Sequence, residues 1–125
     1  MLEADQCVPN VSILIVEDQV VISMALSDVL TSIGCKDVEL ATTVQDAFHK
    51  VASRPFDIAV LDLRLPDGSP QELAAMLKEA GTGLIFHSGH ALSSELLKEF
   101  PDAVVCRKPC PPQTFVDAIL DLKAD

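Results

Sequence analysis

Five short apolar runs alternate with five segments of helical period along this chain, and that alternation restricts its fold more than any other feature. The runs cover residues 11–16, 37–41, 57–61, 83–87 and 103–106. Apolar runs of this length predict strands buried on both faces, and a helical crossover between two strands makes them parallel. The predicted fold is therefore α/β and doubly wound, a flavodoxin-like (βα)5 unit with a five-stranded parallel sheet of order 2-1-3-4-5.

The helical segments carry apolar stripes and end signals. The first stripe predicts one buried face, made of Ile22, Ala25, Leu26, Val29, Leu30 and Ile33. Gly34 and Gly81 each follow a helical segment, as a helix C-terminus favours, and Thr43 is a candidate N-cap of the second helix. The fourth segment carries a cluster of three leucines, Leu92, Leu96 and Leu97. We expect most of this cluster to be buried and one leucine to lie at the surface.

The charge balance excludes several classes of partner. Asp and Glu number 19 against 9 Lys and Arg, giving a formal net charge of -10. This excess disfavours direct binding to nucleic acid or to anionic lipid, both of which require basic surface. The chain shows neither a membrane-spanning apolar run nor a signal peptide, so we expect a cytoplasmic protein. Residues 1–10 predict a loose N-terminal arm, followed by one domain at 11–125.

The four cysteines form no CxxC pair, which favours reduced thiols. A zinc site is conceivable where the fourth and fifth strands adjoin, from His87, His90, Cys106 and Cys110. The spacing of these residues matches no standard zinc pattern, so this alternative is disfavoured.

Side chains capable of phosphoryl chemistry follow four of the predicted strands. Glu17 and Asp18 follow the first strand, Asp62 the third, Ser88 the fourth and Lys108 the fifth. The carboxyl ends of parallel strands meet at one edge of the sheet, so these groups converge. Three converging carboxylates repel each other, and Mg²⁺ relieves that repulsion. With a metal ion and the Lys108 ammonium beside it, Asp62 can act as a nucleophile and form an aspartyl-phosphate.

The order Glu-Asp, Asp-Leu-Arg-Leu-Pro-Asp-Gly, Ser-Gly and Lys-Pro resembles the receiver (CheY-like) domain of two-component response regulators, over about residues 10–123. The resemblance implies that Asp62 accepts a phosphoryl group from a phosphohistidine on a sensor histidine kinase or phosphotransfer protein. It also implies that Ser88 is the switch hydroxyl and Lys108 the phosphate-binding lysine. The implied Mg²⁺ ligands are Glu17, Asp18, Asp62 and, through its backbone carbonyl, Arg64. Such a domain is a phosphoacceptor that assists its own phosphorylation and dephosphorylation, not an enzyme acting on an external substrate.

Three departures from the family pattern modify what the resemblance implies. Val105 occupies the strand-five position where the family usually has Tyr or Phe, so the usual aromatic switch cannot operate. Pro70 stands where Gly is frequent, which predicts a stiffer loop after Asp62. No residues follow the last helix, so we expect a stand-alone receiver that signals by protein contact or acts as a phosphate sink or relay. Arg64 and His90, each two residues beyond a site residue, are hypothesised to set the phosphate lifetime.

Two other functions remain open from the sequence. A pseudo-receiver would bind a partner without being phosphorylated, and the valine at position 105 leaves room for it. A phosphatase of the haloacid type also uses an aspartate nucleophile, but it needs a second acid two residues later, where this chain has Arg64.

Overall fold

The computed structural model describes residues 10–65, 67 and 70–123, so the predicted N-terminal arm lies almost wholly outside the described residues. The strands are β1 (Ser12–Val16), β2 (Asp37–Ala41), β3 (Ile58–Leu61), β4 (Gly83–Ser88) and β5 (Val104–Arg107). The helices are α1 (Val20–Ser32), α2 (Val44–Ser53), α3 (Pro70–Glu79), α4 (Ser94–Glu99) and α5 (Pro112–Lys123). All strand pairs are parallel and the order is β2-β1-β3-β4-β5, which confirms the predicted fold.

The sheet divides the interior into two apolar cores because successive residues of each strand point to opposite faces. In β1, Leu14 and Val16 pack into the core beneath α2 and α3, whereas Ile13 and Ile15 pack into the core beneath α1 and α5. All four side chains are buried, as expected for a central strand covered on both faces. Both layers of helices are therefore anchored to the same strands whose carboxyl ends carry the polar residues.

The buried face of α1 differs from its prediction at two positions. Ala25 is exposed, so its placement on the buried stripe was wrong, while the polar Ser23 is buried. Ser23 tolerates burial because its hydroxyl donates to the Val20 carbonyl oxygen at 3.2 Å, within the same helix. The outer face carries Val21 and Met24, 81% and 55% exposed, so both sides of the helix contain apolar residues and the sequence stripe was ambiguous.

The predicted helix-end signals are confirmed. Gly34 and Gly81 have φ of +87° and +84°, the left-handed region that glycine adopts without a steric cost. Thr43 is the N-cap of α2, and its hydroxyl oxygen accepts the Asp46 N–H at 3.0 Å. In the leucine cluster around α4, Leu96 is buried and Leu97 is 39% exposed, as predicted. Among the described residues, no helix combines the length and apolarity needed to cross a bilayer.

Candidate functional site

The three predicted carboxylates meet at the carboxyl edge of the sheet. Glu17 and Asp18 follow β1 directly, and Asp62 follows β3, which is the next strand in the sheet. Each residue offers a carboxylate oxygen within 4.8 Å of the other two, and they form the sole such group of potential metal ligands in the described part of the chain. Glu17 and Asp62 are buried, whereas Asp18 is exposed at the mouth of the site.

Lys108 supplies the positive charge that faces these carboxylates. Its Nζ lies 3.1 Å from Oε2 of Glu17 and 3.1 Å from Oδ2 of Asp62. Partial burial lowers the pKa of Lys108, but the two carboxylates raise it more, so the net shift is upward and the ammonium stays charged. The Lys108–Pro109 peptide bond is cis. The ammonium is thus engaged with the two buried acids.

Glu17 retains an acceptor position that suits a divalent cation. Burial is the main cause that raises the pKa of its carboxyl, against the Gln19 N–H and Lys108, which lower it. Oε2 is buried, and within the described residues its polar contact is the ion pair with the Lys108 ammonium at 3.1 Å. This oxygen and the two neighbouring carboxylates form the kind of oxygen donor set that Mg²⁺ binds. The residues present thus fit the metal that the sequence implied.

A chain of contacts through Arg64 and His90 joins Asp62 to Ser88 across the site. The Arg64 N–H donates to Oδ1 of Asp62 at 2.9 Å, and the Arg64 guanidinium contacts both ring nitrogens of His90 at 2.6 and 2.8 Å. The Ser88 hydroxyl donates to the His90 carbonyl oxygen at 2.8 Å and accepts the His90 N–H at 3.1 Å. Arg64 and His90, chosen from the sequence by position, are therefore in direct contact.

Helix capping does not account for the site residues. Gln19 is the N-cap of α1 and makes no side-chain cap, although Oε1 of Glu17 accepts its N–H at 3.2 Å. The N-cap of α4 is Ser93, whose hydroxyl accepts the Leu96 N–H, so Ser88 is free of that role. Glu17 and Ser88 thus lie at the site without capping a helix.

The four disfavoured zinc residues form no common group of metal ligands among the described residues. His90 contacts Arg64, while His87 points to the other face of β4 and lies beside Cys106 of β5 in the strand register. Only 5% of the His87 surface is exposed. Within the described structure, neither ring nitrogen of His87 has a hydrogen-bond partner. Burial is the main cause that lowers the pKa of His87. Burial is also the main cause that raises the pKa of Cys106, to about 12. Both groups are therefore neutral core residues at pH 7.

The structure shows where two departures from the family pattern lie, namely Val105 and Pro70. Val105 is 36% exposed on β5, so an aliphatic side chain takes the place of an aromatic ring at the surface. Pro70 is the first residue of α3, where its missing N–H breaks no helical hydrogen bond. The stiffer loop after Asp62 stays a prediction, because residues 66, 68 and 69 of that loop lie outside the described residues.

Sequence reasoning missed Asp67. Its carboxylate accepts the N–H groups of Val44 and Gln45 at 3.0 and 3.1 Å, at the start of a helix 23 and 22 residues earlier in the chain. An Asp-Gly pair in a loop indicates a turn, and no local pattern relates it to a distant helix.

Comparison with known proteins agrees with this geometry. The sequence model of the response regulator receiver domain matches residues 13–119. The chain therefore belongs to the response regulator receiver domain family, a class of phosphoacceptor signalling domains in two-component systems. A comparison with curated proteins finds no match.

Solved structures give the same result for the fold. A CheY-like response regulator receiver domain protein from Methanospirillum hungatei JF-1 is 28% identical, with 90% of this chain and 94% of that chain covered and a TM-score of 0.79. The BeF3-activated receiver domain of DrrB, from Thermotoga maritima, is 27% identical, with 92% and 98% covered and a TM-score of 0.78. The chemotaxis response regulator CheY4 of Vibrio cholerae is 20% identical, with 90% of this chain and 98% of that chain covered and a TM-score of 0.78.

Proposed function

We propose that this protein is a single-domain receiver that accepts a phosphoryl group on Asp62 from a phosphohistidine of a sensor kinase or phosphotransfer protein. The observation that carries the proposal is the buried Asp62 carboxylate, placed between Lys108 and two further acids. A carboxylate is a weak nucleophile in water, but it can attack phosphorus when adjacent cations neutralise the charge on the phosphoryl group. The transfer forms a bond from Asp62 oxygen to phosphorus and breaks the bond between phosphorus and the donor imidazole nitrogen.

The residues around Asp62 have distinct parts in this proposal. Glu17, Asp18, Asp62 and the Arg64 carbonyl would hold Mg²⁺, which would neutralise charge on the phosphoryl oxygens. Lys108 is already beside Asp62 and neutralises charge on the same group. Ser88 supplies a hydroxyl donor, which leaves its bonds with His90 when it turns to a phosphoryl oxygen.

This chain of contacts supports a switch that needs no aromatic residue. When Ser88 releases the His90 backbone, the contact between His90 and Arg64 loses one of its anchors, and the segment before α4 can change conformation. Val105 leaves β5 without the ring that the family usually moves. The readout is then a protein contact made in the cytoplasm, or transfer of the phosphoryl group onward as a sink or relay. Arg64 and His90 also flank the phosphoryl group in this proposal and set how fast water removes it.

Intact mass after incubation with acetyl phosphate and Mg²⁺ tests the proposal. The wild-type protein is expected to gain one phosphoryl group, because a small donor needs no docking surface. Asp62→Asn is expected to gain none, and EDTA is expected to abolish the gain in the wild type. Asp28→Asn, an exposed aspartate on α1, is the matched control and should behave as the wild type.

Each other outcome rejects a defined part of the proposal. Gain by Asp62→Asn would show that another residue is the acceptor. Failure to gain, with Mg²⁺ binding retained and no gain from phosphorylated kinases either, would identify a pseudo-receiver that acts by binding alone.

A further inference from the structure

The N-terminus of α2 is capped by two side chains from different parts of the chain. A helix begins with N–H groups that have no partner within the helix. Thr43, the adjacent residue, accepts the N–H of Asp46, whereas Asp67 accepts the N–H groups of Val44 and Gln45. The three contacts measure 3.0, 3.0 and 3.1 Å, so the first turn of α2 has no free donor among these residues. One cap is local and the other fastens a separate loop to the helix.

That loop is the segment that leaves the phosphorylation site. It begins at Asp62, immediately after β3, and Arg64 donates its N–H back to Oδ1 of Asp62 at 2.9 Å. Asp67 lies three residues beyond Arg64 and attaches to α2 through both carboxylate oxygens. Asp62 is therefore held by the sheet and Asp67 by helix α2. Arg64, whose carbonyl is the proposed fourth protein ligand of Mg²⁺, lies between these two anchors in the sequence.

The charge of Asp67 suits this attachment. A carboxylate at a helix N-terminus is stabilised by the aligned peptide dipoles and by the N–H donors themselves. The donors from Val44 and Gln45 hold the pKa of Asp67 below its ordinary value, so the group is ionised at neutral pH. Each carboxylate oxygen of Asp67 accepts one N–H, from Val44 or from Gln45. An asparagine has a single acceptor oxygen in its side-chain amide, so it would keep one of these two contacts.

We propose that Asp67 is a positioning residue, which orders the Arg64 segment by anchoring it to α2 and thereby sustains metal binding at the phosphorylation site. The metal part of this inference rests on the proposed function, whereas the ordering of Arg64 does not. A purely structural cap would act on α2 alone, and in that case Asp67 and Thr43 would be equivalent.

The pair Asp67→Ala and Thr43→Ala separates these two roles. Each variant removes part of the cap of the same helix, so both are expected to lower stability, but only Asp67→Ala releases the loop. Amide hydrogen exchange at Arg64, followed by NMR, is expected to accelerate about tenfold in Asp67→Ala and to stay at the wild-type rate in Thr43→Ala. Asp67→Asn, with one acceptor, is expected to fall between wild type and Asp67→Ala, and it serves as the test if the alanine variant does not fold.

Calorimetric titration with Mg²⁺ gives the second readout. The dissociation constant is expected to rise several-fold in Asp67→Ala and to remain unchanged in Thr43→Ala. Equal exchange rates at Arg64 in the two variants would overturn the inference, as would acceleration in both. If the wild type bound no Mg²⁺, the proposed function would fail, while the exchange rates would still decide whether Asp67 orders the loop.

Discussion

At the scale of single residues, Lys108 determines the charge balance of the site. Three carboxylates approach one another here, and the Lys108 ammonium contacts the two that are buried, Glu17 and Asp62. Burial by itself favours protonation of Glu17, and the ammonium opposes that effect. One side chain that follows β5 thus supplies the positive charge that these acids face.

Replacing Lys108 with methionine tests that role. Loss of the ammonium leaves two buried carboxylates without a counter-charge, and we expect a loss of about 1–3 kcal/mol in stability. This is less than for a fully buried pair because 21% of the Lys108 side chain is exposed. Mg²⁺ is then the remaining cation for these acids, so the rise in Tm on adding Mg²⁺ is expected to exceed that of the wild type. Lys98→Met, on the exposed side of α4, is the control, and equal rises in all three proteins would contradict the expectation.

Arg64 and His90 provide a second prediction at this scale. Their side chains contact each other beside Asp62 and Ser88, so removing either one opens the rim of the site. Arg64→Ala and His90→Ala are expected to change the decay rate of the phosphorylated protein several-fold. Because the pair acts through one contact, the double variant is expected to change it no more than the stronger single variant. Decay is measured by intact mass after removal of acetyl phosphate, and wild-type rates in both single variants would disprove a role in phosphate lifetime.

At the scale of the elements, strands and helices are joined by contacts between residues far apart in the chain. The Asp57 carboxylate accepts the Ser12 N–H at 2.8 Å, linking the beginnings of β3 and β1. Gly83, the first residue of β4, lies against α5, where an added Cβ would stand 3.3 Å from Cβ and Cδ2 of Leu122. Packing of α5 on the sheet is thus tight at Gly83, where an added methyl group would press against Leu122.

Gly83→Ala is therefore expected to lower the free energy of unfolding by about 1 kcal/mol, because Leu122 must move by a few tenths of an ångström to admit the methyl group. The matched control is Gly89→Ala, where the nearest atom is 3.9 Å away, an ordinary van der Waals distance. The control is expected to stay within about 0.5 kcal/mol of the wild type. Urea denaturation measures both, and equal midpoints for the two variants would show that α5 adjusts without strain.

At the scale of the whole molecule, two buried groups give stability opposite responses to pH. Desolvation lowers the pKa of His87 below 6.5, with Lys108 lowering it further and Asp62 raising it. Below pH 6.5 the unfolded chain therefore binds a proton that the folded protein does not, and stability falls as pH falls. Burial raises the pKa of Glu17 above 4.5, so the folded protein binds the extra proton there, and stability falls as pH rises through that window.

Comparing the wild type with His87→Leu isolates the histidine contribution. The leucine has similar bulk and no ring nitrogen without a partner, so the variant is expected to be more stable at every pH below 7. The advantage is expected to grow as the pH falls from 6.5, because only the wild type then protonates on unfolding. Urea denaturation at several pH values measures it, and a constant difference between the two proteins would show that His87 titrates normally in the fold.

Much of the fold and of the site followed from the sequence, for a physical reason. Alternating strands and helices force a parallel sheet, and the carboxyl ends of parallel strands share one edge. Residues at strand ends are therefore brought together whatever the side-chain packing, which is why Asp62, Glu17 and Asp18 could be assigned to one site. The glycine ends of α1 and α3 and the Thr43 cap were equally local, and each depended on backbone conformation within one turn.

The tertiary structure alone decided contacts that depend on side-chain conformation across large sequence separations. Arg64 reaches His90 over 26 residues, and Asp67 reaches Val44 over 23. No periodic pattern encodes such pairs, because each rotamer is selected by the packing of the elements around it. The same holds for the exposure of Ala25 and the burial of His87, since the apolar character of both faces of α1 and the depth of β4 appear only when the helices are packed on the sheet.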